Sequence, residues 1–245
     1  MHKDLRQQSV EFVNSQPFFG TAIGGSLGAD TATMHDIVAF TRSCIRNDRP
    51  VHLLGIGGIV DIFHGVRQGI DTFDCVHPTR LARHGGALVK ASHWDDVATY
   101  MDNGDDIIRK NALKWEDVAM DRTSPEYRVM KKERSVARRA AKQLREKRAG
   151  MQKIRPHISL TKSPFTDDPR PIDSKCGCYA CKNFSRSYIH HLFKSNEMLG
   201  PMLLTAHNVY FMNALMKDIR IGIETDTLDA VEKEYVHPTL LAEGG

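Results

Sequence analysis

Apolar and polar positions over the first 80 residues alternate between two periods, one helical and one typical of buried strands. Apolar residues recur every three or four positions in two segments, which predicts helices over residues 3–14 and about 31–45. The first helix is predicted to bury a stripe that contains Leu5, Ser9, Phe12 and Val13. Three short apolar runs bounded by turn residues predict buried strands around residues 20–23, 50–54 and 70–76.

Strands that alternate with helices over short connections are typical of an α/β fold, with a parallel sheet covered by helices. A short helix predicted over Asp61–Gln68 completes the pattern. Binding and catalytic groups of such folds lie at the carboxyl ends of the strands. Residues predicted at those ends are Gly24, Gly25, Gly55, Gly57 and Asp74. Three strands cannot close a barrel by themselves.

The pattern divides the chain into three parts. Residues 1–90 hold the βα units, residues 91–165 form a polar and basic insertion expected to be flexible, and residues 166–245 hold the remaining helices. In the last part, a helix is predicted over Ser187–Leu199, ending at Gly200-Pro201, and a final amphipathic helix is predicted to open at His207. Its predicted buried face consists of Phe211, Met212, Leu215, Met216 and Ile219.

Charge is concentrated in the insertion. The whole chain carries a formal net charge of +4, but residues 128–155 contain 12 Lys and Arg against two Glu. Strong helix formers with few core positions predict a solvated basic helix over roughly residues 126–148. Such a segment can contact a polyanion, or it can be a solvated helix or a localisation signal, and the sequence leaves these alternatives open.

Three of the five cysteines lie within six residues, at Cys176, Cys178 and Cys181, and His207 follows 26 positions later. Three thiolates and an imidazole suit a closed tetrahedral Zn²⁺ site, which is typical of structural rather than catalytic zinc. We therefore predict one structural Zn²⁺. The alternative is three unrelated thiols and a helix-capping histidine, although chance rarely produces such clustering.

Composition excludes some classes of protein. Apolar residues make up 41% and charged residues 26% of the chain, which is ordinary for a globular domain. No apolar run approaches the roughly 20 residues of a membrane span, and the first residues lack the apolar core of a signal peptide. An odd number of cysteines, clustered like metal ligands, favours a reducing, cytoplasmic location with no membrane partner.

Five motifs together resemble the tRNA-guanine transglycosylases, the queuine tRNA-ribosyltransferase family, over residues 1–90 and 166–224. They are Ala22-Ile-Gly-Gly25, Leu54-Gly-Ile-Gly57, Asp71-Thr-Phe-Asp74-Cys-Val-His-Pro-Thr-Arg80-Leu-Ala-Arg83, the cysteine cluster followed by Thr205-Ala-His207-Asn, and Ser185-Arg-Ser-Tyr188-Ile-His-His-Leu. The resemblance implies the C-terminal portion of a (β/α)8 TIM barrel with a zinc-binding subdomain, incomplete in this chain. It also implies exchange of guanine for queuine, or its precursor, at the wobble position of tRNA anticodons.

The resemblance also implies roles for single residues. Asp74 matches the family's nucleophile, and the pocket for the base matches Gly24, Gly25, Leu54 and Gly55. Residues that grip the tRNA match Arg80 and Arg83, and positions at the family's dimer contact match Tyr188 and His191. The implied partners are a tRNA with guanine at the wobble position, the incoming base, and a second subunit in a homodimer or a heterodimer with a related chain.

Without the resemblance, these positions have simpler interpretations. The sequence pattern alone favours a capping or loop carboxylate for Asp74 and a plain βα turn for Gly24 and Gly25, and it explains Arg80 and Arg83 equally well as a solvated pair. The family's barrel begins upstream of Met1, so two hypotheses stay open. Either the chain is part of a transglycosylase catalytic subunit, or it is a truncated or noncatalytic tRNA-binding subunit on the same scaffold, inactive alone.

Overall fold

A three-stranded parallel sheet lies in the first part of the chain, as predicted. The computed structural model describes residues 2–25, 27–28, 30–94 and 157–238. The strands stand in the order β1-β2-β3, with bounds Thr21–Ile23, Val51–Leu53 and Thr72–Phe73. Register pairs His52 of β2 with Ala22 of β1 and with Thr72 of β3, which brings the three carboxyl ends to one edge.

Three helices accompany this sheet: α1 (Lys3–Ser15), α2 (Thr31–Cys44) and α3 (Ile59–Arg67). Asp30 caps α2, because its side chain accepts a hydrogen bond from the Thr33 N–H at 2.8 Å. A shared core holds residues from α1, α2 and all three strands: Val10, Ile23, Ile37, Val38, Val51 and Leu53, with Phe73 partly buried against them.

The predicted buried stripe of α1 is wrong. Leu5 and Phe12 are 56% and 65% exposed, and Val10 is the buried residue of this helix. The inward face is set by contact with the end of α2, where the Asn14 amide donates to the Cys44 carbonyl at 2.9 Å. A helix with few apolar residues has a weak periodic signal, so the tertiary contact decides which face is buried.

Two short elements link the sheet to the second half of the chain. Helix α4 (His77–Arg83) follows β3, and strand β4 (Gly86–Leu88) pairs antiparallel with β5 (His157–Ser159). Short 3₁₀ helices span Ala91–His93 and Ser163–Phe165. Residues 91–94 and 157–165 of the predicted insertion belong to the described part of the chain and contain β5 and both 3₁₀ helices. The rest of that segment, including the predicted basic helix, lies outside the described residues.

Four more helices follow: α5 (Tyr179–Asn183), α6 (Arg186–Lys194), α7 (Leu199–Glu224) and α8 (Leu228–Tyr235). The predicted boundary at Gly200-Pro201 is wrong, since α6 ends at Lys194 and α7 already begins at Leu199. Pro201 lies in the first turn of α7, where a missing N–H has no intrahelical partner to lose. His207 therefore lies well inside a 26-residue helix rather than at its start.

The inward face of α7 is confirmed. Phe211, Leu215 and Ile219 are at most 5% exposed, and Met212 and Met216 pack against them partly buried. Helix α8 covers this face with Tyr235, which is 1% exposed and meets the Phe211 ring edge-on at 5.4 Å. No helix in the described part of the chain is long and apolar enough to cross a membrane.

Candidate functional site

The Asp74 carboxylate lies at the carboxyl edge of the sheet, directly after β3. Its Oδ1 accepts a hydrogen bond from the Gly55 N–H at 3.0 Å and one from His52 Nε2 at 3.2 Å. The side chain is 60% exposed, so the group is fixed on one side and open on the other. A held, accessible carboxylate can act as a nucleophile toward an electrophilic carbon.

Hydrogen bonds also keep Asp74 ionised. Its pKa is lowered, most of all by the Gly55 N–H; burial opposes this, and the hydrogen bond and charge of the His52 ring lower the pKa further. Donors that contact a carboxylate favour its charged form. A nucleophilic carboxylate must be deprotonated, so these contacts suit the chemistry.

Two glycine turns flank the carboxylate. Gly55 has φ +75° and Gly25 has φ +80°, in the left-handed region that side chains rarely adopt, and a Cβ at either would meet nothing within 4 Å. At Gly24, by contrast, a Cβ would come within 2.8 Å of Leu54 Cδ1. Leu54 is 46% exposed. The loops after β1 and β2 therefore offer open backbone and one apolar side chain beside Asp74, a surface suited to a flat ligand.

Arg80 and Arg83 lie one turn apart near the end of α4, the helix that follows Asp74. Both side chains are exposed. Pro78 and Ala82 of the same helix are buried, and α4 packs against α7. The helix thus fixes the position of two guanidinium groups a few residues from the carboxylate, where they can meet phosphate oxygens.

The predicted metal ligands converge. The ligand atoms of Cys176, Cys178, Cys181 and His207 lie within 4.8 Å of one another. His207 Nδ1 is 3.8, 3.4 and 3.4 Å from the three sulfurs in chain order. Zn–S and Zn–N bonds of about 2.3 and 2.0 Å at tetrahedral angles place nitrogen and sulfur roughly 3.5 Å apart, so the donor set fits a metal ion.

Neighbouring groups prepare His207 to bind a metal. Its Nε2 donates to the Leu88 carbonyl of β4 at 2.8 Å, which leaves the Nδ1 lone pair directed at the sulfurs. Cys178 caps helix α5, its sulfur accepting from the Cys181 N–H at 3.4 Å. The ligand set therefore joins the loop before α5 to both α7 and β4.

Asn208, next to His207, is fully buried and was not anticipated. Its Oδ1 accepts from the Leu88 N–H at 2.9 Å, and its Nδ2 donates to the carbonyls of Pro78 and Gly86 at 2.9 and 3.0 Å. One amide therefore ties α7 to the turn from α4 to β4. The sequence signals were its place in the motif Thr205-Ala-His207-Asn and a polar side chain among the buried residues of α7.

A buried ion pair supports the loop that carries the cysteines. Arg186, 3% exposed, donates to Asp168 Oδ2 at 3.0 Å and to the Ile172 carbonyl at 2.8 Å. Asp173 accepts from the Lys175 N–H and contacts His93 Nδ1, both at 2.8 Å. The approach to Cys176 is thus held by charged contacts, because few of its residues are apolar.

The structure brings the candidate residues together in two places. Asp74, Gly24, Gly25, Leu54 and Gly55 share one sheet edge, and the cysteines and His207 share the second site. Sequence reasoning missed His52. The sequence held a signal, because His52 stands between the apolar residues Val51 and Leu53 of a predicted strand. Successive side chains of a strand point to opposite faces, so His52 lies on the face opposite to these two residues.

Comparison with known proteins gives matches along most of the chain. A family model described as Queuine tRNA-ribosyltransferase matches residues 1–239. A queuine tRNA-ribosyltransferase of Roseiflexus sp. is 34% identical over 220 residues, 90% of this chain and 40% of the relative. One from Chromobacterium violaceum is 31% identical over 236 residues, 96% of this chain and 46% of the relative. The chain thus spans about half the length of these relatives.

Proposed function

Because this chain belongs to the queuine tRNA-ribosyltransferase family, we propose that it contributes the nucleophile of a tRNA-guanine transglycosylase. The observation that carries the proposal is Asp74, held at Oδ1 by two donors and exposed at the edge where the glycine loops end. The three parallel strands are then the last strands of a (β/α)8 barrel, whose catalytic groups lie at this edge.

The chemistry follows from the carboxylate. Asp74 attacks C1′ of the ribose: the C1′–O bond forms, the C1′–N bond breaks with its electron pair going to guanine, and guanine takes up a proton from solvent. The incoming base then attacks C1′, gives up a proton to solvent and displaces the carboxylate, which takes back the electrons of the C1′–O bond. Two displacements retain the configuration at C1′, as in retaining glycosidases. The incoming base is queuine or its precursor, and Gly24, Gly25, Leu54 and Gly55 form part of its pocket.

The proposed macromolecular substrate is a tRNA with guanine at the wobble position. Arg80 and Arg83 support this, because two exposed guanidinium groups follow the nucleophile on a packed helix. Contacts from arginine to phosphates position a nucleic acid without reading its sequence. These residues are proposed to hold the backbone while Asp74 meets the ribose.

The proposed metal is one structural Zn²⁺ on Cys176, Cys178, Cys181 and His207. Three thiolates and one imidazole leave no open coordination position, which is the arrangement of structural rather than catalytic zinc. Bound zinc would fix the loop before α5 to α7. Since zinc thiolates need reduced cysteines, a cytoplasmic location is proposed as well.

A second subunit is proposed to cover an aromatic surface on α5 and α6. The ring of Phe184 stacks on Tyr188 at 5.4 Å and meets Tyr179 edge-on at 5.7 Å. Tyr179 is 64% exposed, and Met202 of α7 is 62% exposed. Aromatic and methionine side chains are enriched at protein interfaces. His191 belongs to the same helix as Tyr188, so α6 is the proposed dimer contact.

The test of function is covalent trapping. Purified protein is incubated with wobble-guanine tRNA, and the denaturation-stable enzyme–tRNA species and the release of labelled guanine are measured. Asp74→Ala and Asp74→Asn are expected to abolish both while keeping the fold. Full exchange in either variant contradicts the assignment. Tight tRNA binding without exchange by the unsubstituted protein supports the alternative, a noncatalytic tRNA-binding subunit.

A further inference from the structure

His52 connects the nucleophile to the strand beneath it. Its Nε2 lies 3.2 Å from Asp74 Oδ1, and its Nδ1 lies 2.7 Å from Thr72 Oγ1. Register pairs His52 with Thr72 on the adjacent strand, so both side chains leave the sheet on the same face. The imidazole therefore contacts Thr72 through Nδ1 and, through Nε2, the carboxylate of Asp74, which follows Thr72 by two residues.

The two contacts define the tautomer of the neutral ring. A carboxylate only accepts hydrogen bonds, so the hydrogen is on Nε2 and Nε2 donates to Asp74. Nδ1 then accepts, and the Thr72 hydroxyl donates to it. The carboxylate thus selects the tautomer, and the Thr72 hydroxyl, which can donate or accept, fits it by donating and fixes the plane of the ring.

Both donors contact the same carboxylate oxygen. Oδ1 accepts from Gly55 N–H and from His52 Nε2, whereas Oδ2 accepts from no other residue that the structure describes. Two donors on one oxygen fix the rotation of the carboxylate. The lone pairs of Oδ2 remain free toward the open side of the site.

We infer that His52 is a positioning residue that, with the Gly55 N–H, anchors Asp74 Oδ1 and so selects Oδ2 as the attacking oxygen. The inference rests on the proposed function. In the first step, Oδ2 bonds to C1′ and Oδ1 becomes the carbonyl oxygen of the ester. In the second step, the incoming base displaces Oδ2 from C1′ and the bonding electrons return to the carboxylate. Donors on Oδ1 stabilise that returning charge.

The substitutions His52→Gln and His52→Asn both introduce a side-chain amide and differ only in the length of the side chain. In His52→Gln, the side-chain amide can occupy the place of Nε2 and still donate to Asp74. In His52→Asn, the shorter amide can reach Thr72 but not the carboxylate. Both replace the ring by an uncharged amide, so a difference between them reports the contact with Asp74. His2→Ala, at an exposed histidine before α1, is the matched histidine control.

The first measurement needs no catalysis. The pKa of Asp74 is followed by NMR in protein carrying ¹³C-labelled aspartate carboxyls. Since the His52 ring favours the charged carboxylate, losing it is expected to raise the pKa in His52→Asn, and His52→Gln is expected to restore most of the difference. An unchanged pKa in His52→Asn means that the hydrogen bond is absent and overturns the inference.

The second measurement is base exchange with wobble-guanine tRNA. His52→Asn is expected to lower kcat about tenfold, a typical effect of a hydrogen bond to a charged group, with KM for tRNA nearly unchanged. In His52→Asn, the acidic limb of the pH profile of kcat/KM is also expected to move to higher pH. His52→Gln is expected to recover both kcat and the position of this limb. Unchanged kcat and pH profile in His52→Asn, with active parent protein, overturn the inference. Absence of exchange and of the covalent species in the parent instead overturns the proposed function and with it the role of Oδ2.

Discussion

At the residue scale, Asn208 shows how one buried amide can join three elements. Both of its N–H groups donate to carbonyls, those of Pro78 and Gly86, and its oxygen accepts from the Leu88 N–H. All three partners are backbone groups of the turn that leads from α4 through β4. The same turn presents the Leu88 carbonyl to the metal ligand His207. The position of α4, and with it Arg80 and Arg83, therefore depends on Asn208.

We expect Asn208→Ala to destabilise the fold by about 3 kcal/mol, because a buried backbone group left without a partner costs roughly 1–3 kcal/mol. The measurement is the free energy of unfolding in urea. Asn183→Ala is the control, since Asn183 is exposed and its side chain donates to the Tyr179 carbonyl one turn earlier in the same helix. A similar loss of stability in both variants would contradict the role assigned to Asn208.

At the element scale, α2 and α3 meet through two histidines. The rings of His35 and His64 stack with centroids 3.8 Å apart, and His35 Nε2 lies 2.9 Å from Asp61 Oδ1. Burial, and then the neighbouring His35, lower the pKa of His64. Its Nε2 is buried without a partner among the described residues, so protonation there has no acceptor.

This contact predicts an acid-labile interface. The unfolded chain takes up the His64 proton near its ordinary pKa of about 6.5, whereas the folded chain resists it. The stabilisation is present above pH 6.5 and decreases as the pH falls below that value. We expect His64→Phe to lose less stability than the parent between pH 7.5 and 5.5, measured by urea midpoints. The control is His84→Phe, at an exposed position, which should lose as much stability as the parent over this pH range. An equal loss in His64→Phe and the parent would show that the prediction is wrong.

The elements also show what the sequence could and could not predict. Periodicity placed the three parallel strands and α2 correctly, because buried strands and a capped amphipathic helix have strong local signals. It misplaced the buried face of α1 and the start of α7, where tertiary contacts and a proline in the first turn decide. Helix α8 went unrecognised because its segment is rich in acidic residues, although Tyr235 and Val236 are each 1% exposed.

The candidate sites divide in the same way. Cysteine spacing alone predicted a ligand set that the structure brings together, because metal ligands must be clustered and few residue types can serve. The predicted carboxyl ends of the strands placed Gly24, Gly25 and Gly55 near Asp74, because these ends meet at one edge of a parallel sheet. The roles of His52 and Asn208 were missed because they depend on strand register and, for Asn208, on contacts more than a hundred residues apart in the chain. The local pattern marks each as a polar residue but does not identify its partners.

At the scale of the whole molecule, the candidate metal site joins segments that are far apart in sequence. It connects the loop of Cys176 to α7, and through His207 to β4. A metal that binds the folded chain alone adds its binding free energy to stability.

We expect one equivalent of zinc by metal analysis, and a strong chelator should lower the thermal midpoint by ten degrees or more. Cys178→Ser should lose the metal, whereas Cys44→Ser should keep it. Metal-free protein with an unchanged midpoint would contradict a structural role.

The basic segment 128–155 gives the last prediction, which rests on sequence alone because these residues lie outside the described part of the chain. Its 12 basic side chains, opposed by only two acidic ones, repel one another within a Debye length of roughly 8 Å at physiological salt. A polyanion relieves this repulsion and releases counterions when it binds. If tRNA is that polyanion, deleting residues 126–156 should weaken binding and flatten the slope of log K against log salt by several units. Arg80→Ala, the matched single-charge control, should change the slope by about one unit. An unchanged slope in the deletion variant would show that the segment does not contact the RNA.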